Sequence, residues 1–431
     1  MARRWEETTM DLHYSDAEQR YRMEVRELLA RLLGPDWHGF GALSEGERAT
    51  FRSEWRATLL EHGLLAPGWP AEYGGGGLTL IEQSIVTEEL AEAGAPQFPT
   101  ANDANGMVLL GPTLMHYGSA AQKAFFLPRT LSGEITWAQG YSEPEAGSDL
   151  FNVRTRAVRQ GDSWIINGQK IWQTAGLSAN WLFALVRTDP ALPGGKGLSF
   201  MLLPIDQPGV TVRGIKNMAG ETEFAEVFLT DAVASDEHVV GGIGNGAQVA
   251  LGLLGFERGA GGLAAAAAAR IEVERLIELA RATGGARDRG LRRRIARCRA
   301  DVHVLRCLAL RSLSAGVSGD PPGPESSVTK MFMSLYRQRV TELALDLLGR
   351  SALSLDGPGA VAALGPQPRG LDAASATAWV DDALHARPGT VYGGSLQIQR
   401  NTLAERVLGL PREPRQLPVH KEPRQEERNA V

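Results

Sequence analysis

Apolar and polar positions divide the chain into three stretches of different period. In the first stretch the period is helical: Tyr21, Val25, Leu28, Leu29 and Leu32 fall on one face. Just before them, Ser15-Asp16-Ala17-Glu18 fits a capping box, in which hydroxyl and carboxylate satisfy free backbone N–H groups at a helix start. Phe51 to Leu64, Leu80 to Ala93 and Ala121 to Leu131 read as further helices, while Pro67-Gly68-Trp69-Pro70 and the glycines from Gly74 to Gly77 force a loop. From Ile135 to about Asn245 the pattern changes to short β segments. Trp164 to Trp172 reads as a hairpin turning at Asn167-Gly168, because a two-residue type I′ turn needs φ > 0 at both centres. Leu182 to Arg187, Leu198 to Leu203, Val210 to Ile215 and Glu226 to Leu229 read as strands, separated by Pro190, Gly194-Gly195 and Pro208-Gly209. Helical patterns return in Ala247 to Ala282, Leu291 to Ala315, Glu325 to Leu348 and Ala374 to Ala386. Such helices need to pack on one another, since propensity alone does not hold them in water.

The expected architecture is α+β: an N-terminal helical domain (1–134), a middle antiparallel β-barrel or sandwich (135–245) and a C-terminal four-helix bundle (246–412). Residues 413–431, rich in Pro, Glu, Arg and Gln, read as a disordered tail.

Composition narrows the function classes. The net charge of -5 gives no global pull toward nucleic acid or a membrane surface. The locally basic run Arg287 to Arg299 reads as a solvated helix face, or as a surface for phosphate or a second subunit. The N-terminus lacks the apolar core of a secretory signal, and no apolar run reaches the ~18 residues of a membrane span. Cys298 and Cys307 on one helix would stand roughly 13 Å apart by the helical rise, too far for a bridge. A reduced, cytoplasmic protein is expected. No histidine pair has metal-ligand spacing, so no metal is expected.

Two segments carry the chemistry. Gln139-Gly140-Tyr141-Ser142-Glu143-Pro144-Glu145-Ala146-Gly147-Ser148-Asp149 is followed, about thirty residues on, by Asn167-Gly168-Gln169-Lys170-Ile171-Trp172-Gln173-Thr174. Together they resemble the flavin-binding signature of the acyl-CoA dehydrogenase family. Met218-Ala219-Gly220, Phe256-Glu257-Arg258, Tyr392 to Arg400 and Ala404 to Arg412 also appear in that family's order and spacing. The resemblance covers nearly the whole chain to about Arg412. It implies α,β-dehydrogenation of an acyl-CoA thioester, with FAD as hydride acceptor and an electron-transfer flavoprotein as onward partner. It further implies that Tyr141, Ser142, Trp172, Thr174, Ser395 and Gln397 contact the flavin. Ser148 and Arg258 match contacts to the acyl-CoA.

Removing an α-proton from a thioester requires a carboxylate in a site dry enough to raise its pKa. In much of the family this glutamate directly follows the tyrosine of the C-terminal motif, where the present chain has Gly393. A smaller branch, including enzymes of branched or long acyl groups, carries it on an earlier helix, in a segment like Phe256-Glu257-Arg258. The resemblance therefore assigns Glu257 as the base, although a Glu beside an Arg on a helix is ordinarily solvated.

The chain departs from the family pattern in two places. An Arg-x-x-Phe-Gly segment that holds FAD across a subunit boundary has no counterpart in Arg281 to Arg287, and a Gln-x-x-Gly-Gly segment is replaced by Asp346-Leu347-Leu348-Gly349-Arg350. The adenine and pyrophosphate half of FAD therefore needs Arg287, a neighbour, or a different partner chain in a homo- or hetero-oligomer (dimer or tetramer). The run Gly259-Ala260-Gly261-Gly262, with Gly393, reads as room for a bulky or branched acyl group, or as close helix packing. Two alternatives stay open. One is a non-catalytic or co-catalytic subunit of a mixed assembly; the other is a flavin oxidase or monooxygenase on the same fold.

Overall fold

Ser15 starts the first helix as its sequence requires: the Glu18 amide donates to Ser15 Oγ at 3.3 Å, and the Ser15 amide donates to the Glu18 carboxylate at 2.6 Å. The computed structural model describes residues 14–259, 262–319, 323–324, 326–353 and 376–412. The tail expected over 413–431 lies outside them.

The N-terminal helices are α1 (Asp16–Leu33), α2 (Glu45–Glu61), α3 (Leu80–Ala93), α4 (Ala101–Ala104), α5 (Gly111–Tyr117) and α6 (Ala120–Ser132), with a π-helical turn over Asn105–Leu110. Capping boxes at Ser44/Glu47, Thr79/Glu82 and Ser119/Gln122 set three more helix starts. The middle domain holds β1 (Trp137–Gly140), β2 (Arg156–Gln160), β3 (Ser163–Thr174), β4 (Trp181–Arg187), β5 (Leu198–Pro204), β6 (Val210–Ile215), β7 (Phe224–Ser235) and β8 (Val239–Val240). They form one sheet in the order β6-β7-β3-β2-β4-β5-β8, with β1 added on β4. Most pairs are antiparallel; β1 and β2 each meet β4 in parallel.

The Asn167-Gly168 hairpin is a correction. The turn lies earlier, at Gly161-Asp162, where Gln160 pairs with Ser163, and β3 runs straight through Asn167 and Gly168. Both residues serve packing instead. Asn167 exchanges two hydrogen bonds with Asp231 on β7, at 2.9 and 3.0 Å. A Cβ on Gly168 would stand 2.5 Å from Thr155 Oγ1, so glycine is required by close approach.

Strand β4 is buried on both faces, which explains its unbroken apolar run. Phe183 and Leu185 point into a core shared with the N-terminal helices, whereas Leu182, Ala184 and Val186 point into a second core with Trp164, Ile166 and Leu203. The C-terminal part comprises α7 (Gly246–Gly259), α8 (Gly262–Ala282), α9 (Arg289–Val317), α10 (Ser326–Leu348), α11 (Ala376–Ala386) and α12 (Leu396–Thr402). Helices α8 to α10 bury Leu276, Leu305, Tyr336 and Val340 in a third core, to which α11 adds Trp379. In the basic run, Arg289, Arg292, Arg293, Arg297 and Arg299 are exposed. Both cysteines lie on α9 as free thiols. Among the described residues no helix is long and apolar enough to cross a membrane.

The bundle core contains a charged group with a pH consequence. Glu272 is buried, with Arg337 Nη1 3.1 Å from its carboxylate, while the Tyr336 hydroxyl donates to the Ala269 carbonyl. Burial pushes Glu272 up to about 7, against the pull of Arg337. The folded state then binds more protons than the unfolded state between about 4.5 and 7, so this group's contribution to stability falls as pH rises through that window. Urea unfolding of wild type and Glu272→Gln between pH 5 and 7.5 is expected to show a smaller decline in the variant. Equal slopes would assign the pH dependence elsewhere.

Candidate active site

Strand β3 and the turn after β1 are tied by a buried ion pair. Lys170 is fully buried; its ammonium donates to Glu143 at 2.7 Å, to the Leu185 carbonyl at 2.7 Å and to the Tyr141 carbonyl at 3.3 Å. Glu143 also accepts from the amides of Arg154 (2.6 Å) and Thr155 (2.9 Å). Burial pushes Lys170 down to about 8 despite Glu143. Burial works to raise Glu143, but Lys170 and the Thr155 and Arg154 donors hold it below the usual carboxylate range. Ile171 donates its amide to the Ser142 carbonyl at 3.0 Å, which joins the strand just before Trp172 to the turn bearing Ser142. The Tyr141 ring is buried edge-on against Phe183 and Phe200, so this side chain is core and its backbone is the part at the turn.

Trp172 is the bulged residue of β3. Ile171 pairs with Glu226 and Gln173 with Ala225, leaving Trp172 unmatched between them. Its φ is 69°, unusual for a bulky residue, and its side chain is 56% exposed. Its ring touches Phe224 edge-on at 6.0 Å. Such backbone strain is characteristic of ligand clamps. Two asparagines of the N-terminal domain fix the backbone beyond it. Asn105 donates to the carbonyls of Trp137 (2.9 Å) and Thr174 (3.5 Å), and Asn102 to those of Trp137 (3.1 Å) and Ala175 (3.2 Å). Ser148 is exposed in the loop before Leu150.

Glu257 and Arg258 lie near the end of α7; their side chains are outside the described part. The helix itself is firmly seated. Val249, Ala250 and Leu253 are buried in the core that also holds Tyr141, Phe183 and Phe200. Phe256 meets His116 of α5 with ring centroids 6.2 Å apart. Helix α7 is thus wedged between the sheet and the N-terminal helices.

Ser395 and Gln397 form a separate group at the start of α12. Ser395 caps that helix, accepting from the Ile398 amide at 3.3 Å, and Gln397 is exposed. Gly393 has φ 61°, a left-handed conformation that disfavours a glutamate there. The C-terminal bundle meets the middle domain where His385 of α11 approaches Glu221 at 3.1 Å. Glu221, Glu223 and His385 bring their ligand-type atoms within 4.8 Å of one another, a cluster that no sequence spacing revealed. Both ring nitrogens of His385 face acceptors, Nδ1 lying 3.0 Å from the Asp381 carbonyl, which is the pattern of an imidazolium bridge. Burial alone would lower the pKa of His385, yet the Asp381 carbonyl, Asp381 and Glu221 together hold it above its ordinary value.

Comparison with known proteins gives this arrangement a family. The family descriptions "Acyl-CoA dehydrogenase, N-terminal domain", "middle domain" and "C-terminal domain" match residues 15–134, 138–232 and 244–408. The chain belongs to the acyl-CoA dehydrogenase family. Acyl-CoA dehydrogenase IpdE1 of Mycolicibacterium smegmatis is 38% identical over 92% of this chain and 98% of its own. Its namesake in Mycobacterium tuberculosis is 38% identical over 92% and 99%. Among solved structures, the Tcur3481-Tcur3483 steroid ACAD has a TM-score of 0.76 and 31% identity, covering 94% of this chain and all (100%) of that one. The ChsE4-ChsE5 complex from Mycobacterium tuberculosis has a TM-score of 0.72 and 30% identity, covering 94% and 100%.

The protein is accordingly an acyl-CoA dehydrogenase, an oxidoreductase acting on a CH–CH bond of an acyl-CoA. The family is flavin-dependent, and the strained, outward-turned Trp172 fits a planar ring system. Glu143 and Lys170 stand within a motif whose sequence alone gives them no role. Asn102 and Asn105 lie in no recognisable motif, and sequence reasoning misses them altogether.

Proposed function

We propose that this acyl-CoA dehydrogenase binds FAD, uses Glu257 as its base, acts on a bulky acyl group, and passes electrons to an electron-transfer flavoprotein. The observation that carries the proposal is the seat of α7, which shares one core with the segment bearing Tyr141 and Ser142. When bound, the flavin supplies the hydride acceptor. The chain's own part is to hold and to move a proton. Trp172 offers a face to the ring; the backbone at Tyr141, the Ser142 and Thr174 hydroxyls, and Ser395 and Gln397 offer polar contacts. Ser148 and Arg258 hold the acyl-CoA, and the Glu257 carboxylate takes the α-proton. Gly393 carries no side chain to fill the pocket, and the relative called a steroid ACAD supports a polycyclic acyl group.

A second reading has a specific basis. The segments that hold the far half of FAD in many relatives are missing from Arg281–Arg287 and Asp346–Arg350, and two solved relatives are named as pairs of chains. A second, related chain would then complete the nucleotide half of the site in a mixed oligomer.

Purification of the chain alone and with a related second chain, followed by anaerobic mixing with CoA thioesters, tests both readings. Yellow protein bleached faster by steroid-side-chain or branched thioesters than by straight ones is expected, with electron-transfer flavoprotein as the effective oxidant. Colour gained only with the second chain would favour the mixed assembly. Rapid reoxidation by air would favour the oxidase alternative and remove the dehydrogenase's onward partner.

A further inference from the structure

We infer that Lys330 is the positioning residue that shapes the C-terminal wall of the flavin site, by gathering the carbonyls of the 389–394 loop around its ammonium. The inference rests on the flavin reading above. Lys330 lies on α10 and is partly buried. Its ammonium donates to the carbonyl of Gly389 at 2.8 Å and to that of Gly394 at 2.9 Å, and it sits 5.9 Å from the centre of the Tyr392 ring. Ser334, one turn further along α10, sets its hydroxyl 2.8 Å from the same Gly389 carbonyl and 2.8 Å from the Lys330 carbonyl. Gln338, a further turn on, makes longer bonds at the loop's entry, to the Arg387 carbonyl at 3.3 Å and to Thr390 Oγ1 at 3.4 Å.

The glycine end of the loop depends most on Lys330. Gly393 and Gly394 are consecutive glycines with φ of 61° and 85°, the residues with most conformational freedom to lose. Val391 and Tyr392 are 68% and 61% exposed, so apolar burial does not fix the segment either. The bond from Gln399 Nε2 to the Gly393 carbonyl, at 2.9 Å, comes from α12, the element to be positioned. Ser334 and Gln338 hold the entry of the loop, whereas Lys330 joins its entry to its exit. A lysine suits such a junction, because three donors on one compact cation bind several carbonyls at once, and charge-assisted bonds are the strong ones. Ser395 follows Gly394 directly and caps α12. A loop released at Gly394 would thus displace Ser395 and Gln397 together, the two C-terminal contacts proposed for the flavin.

Lys330→Met and Lys330→Arg test this. In the Met variant the flavin dissociation constant is expected to rise on the order of tenfold, the effect of losing charge-assisted bonds that act only through α12. Amide hydrogen exchange at residues 389–395 is expected to accelerate, while the unfolding midpoint of the flavin-free chain stays near wild type. Arginine, which retains charge and several donors, is expected to restore both readouts to within about threefold. If the Met variant does not fold, Lys330→Gln, which keeps two donors without the charge, replaces it, and both readouts are expected to lie between wild type and the tenfold loss. Unchanged exchange at 389–395 overturns the inference, as does an unchanged flavin dissociation constant. A wild-type chain that takes up no flavin, alone or with a second chain, removes the flavin reading instead. The exchange comparison then still decides whether Lys330 holds the loop.

Discussion

A Glu257→Gln variant is expected to retain its fold and its flavin while acyl-CoA-driven bleaching slows by about 10²- to 10⁴-fold, the usual weight of a positioned general base. The fold is expected to survive because α7 is held by Val249, Ala250 and Leu253 rather than by residue 257. The amide has nearly the carboxylate's shape and cannot accept the α-proton. Two readouts separate this from a binding defect. Anaerobic single-turnover mixing gives the reduction rate at saturating thioester, where a loss confined to affinity disappears. Exchange of the α-proton of a non-oxidisable thioester with deuterated solvent reads the base without any redox step, and it is expected to fall in parallel. Bleaching and exchange at wild-type rates would place the base elsewhere. The conformation at the alternative position makes that a demanding outcome: Gly393 has no carboxylate, and its φ of 61° is unfavourable to any side chain.

Much of this fold is legible in the sequence because local rules and tertiary packing agree. The Ser15 capping box, the span Leu80–Ala93 and the strand Val210–Ile215 are found where pattern alone places them. The Asn167-Gly168 dipeptide misleads because it answers two demands: φ > 0 in a turn, or a missing Cβ where Thr155 crowds the strand. Only tertiary contact distinguishes them. The site divides along the same line. Trp172 stands out as part of a motif, but the bulge that turns it outward depends on the pairing of β3 with β7. The His385–Glu221 contact joins residues 164 positions apart, beyond any spacing rule. Lys170 illustrates the difference most fully, since its sequence context of Gln169 and Ile171 gives no sign that its ammonium is buried.

That burial makes Lys170→Met the variant with the largest expected effect on stability. Methionine fills much of the same volume but leaves the Glu143 carboxylate without its cation and the Tyr141 and Leu185 carbonyls without a shared donor. Removing one partner of a buried pair typically costs about 3–5 kcal/mol. The loss concentrates at the turn that carries Ser142, because Glu143 also organises the amides of Arg154 and Thr155. Equilibrium urea unfolding followed by tryptophan fluorescence is expected to record it, with flavin retention falling in step. The double variant Glu143→Gln/Lys170→Met separates charge from packing. Once both charges are gone, the penalty of an uncompensated carboxylate disappears, and stability is expected to recover by more than about 1 kcal/mol relative to Lys170→Met. A single variant that loses less than about 1 kcal/mol would mean that Glu143 takes up a proton or finds water instead. The ion pair would then be an accessory of the turn and not its foundation.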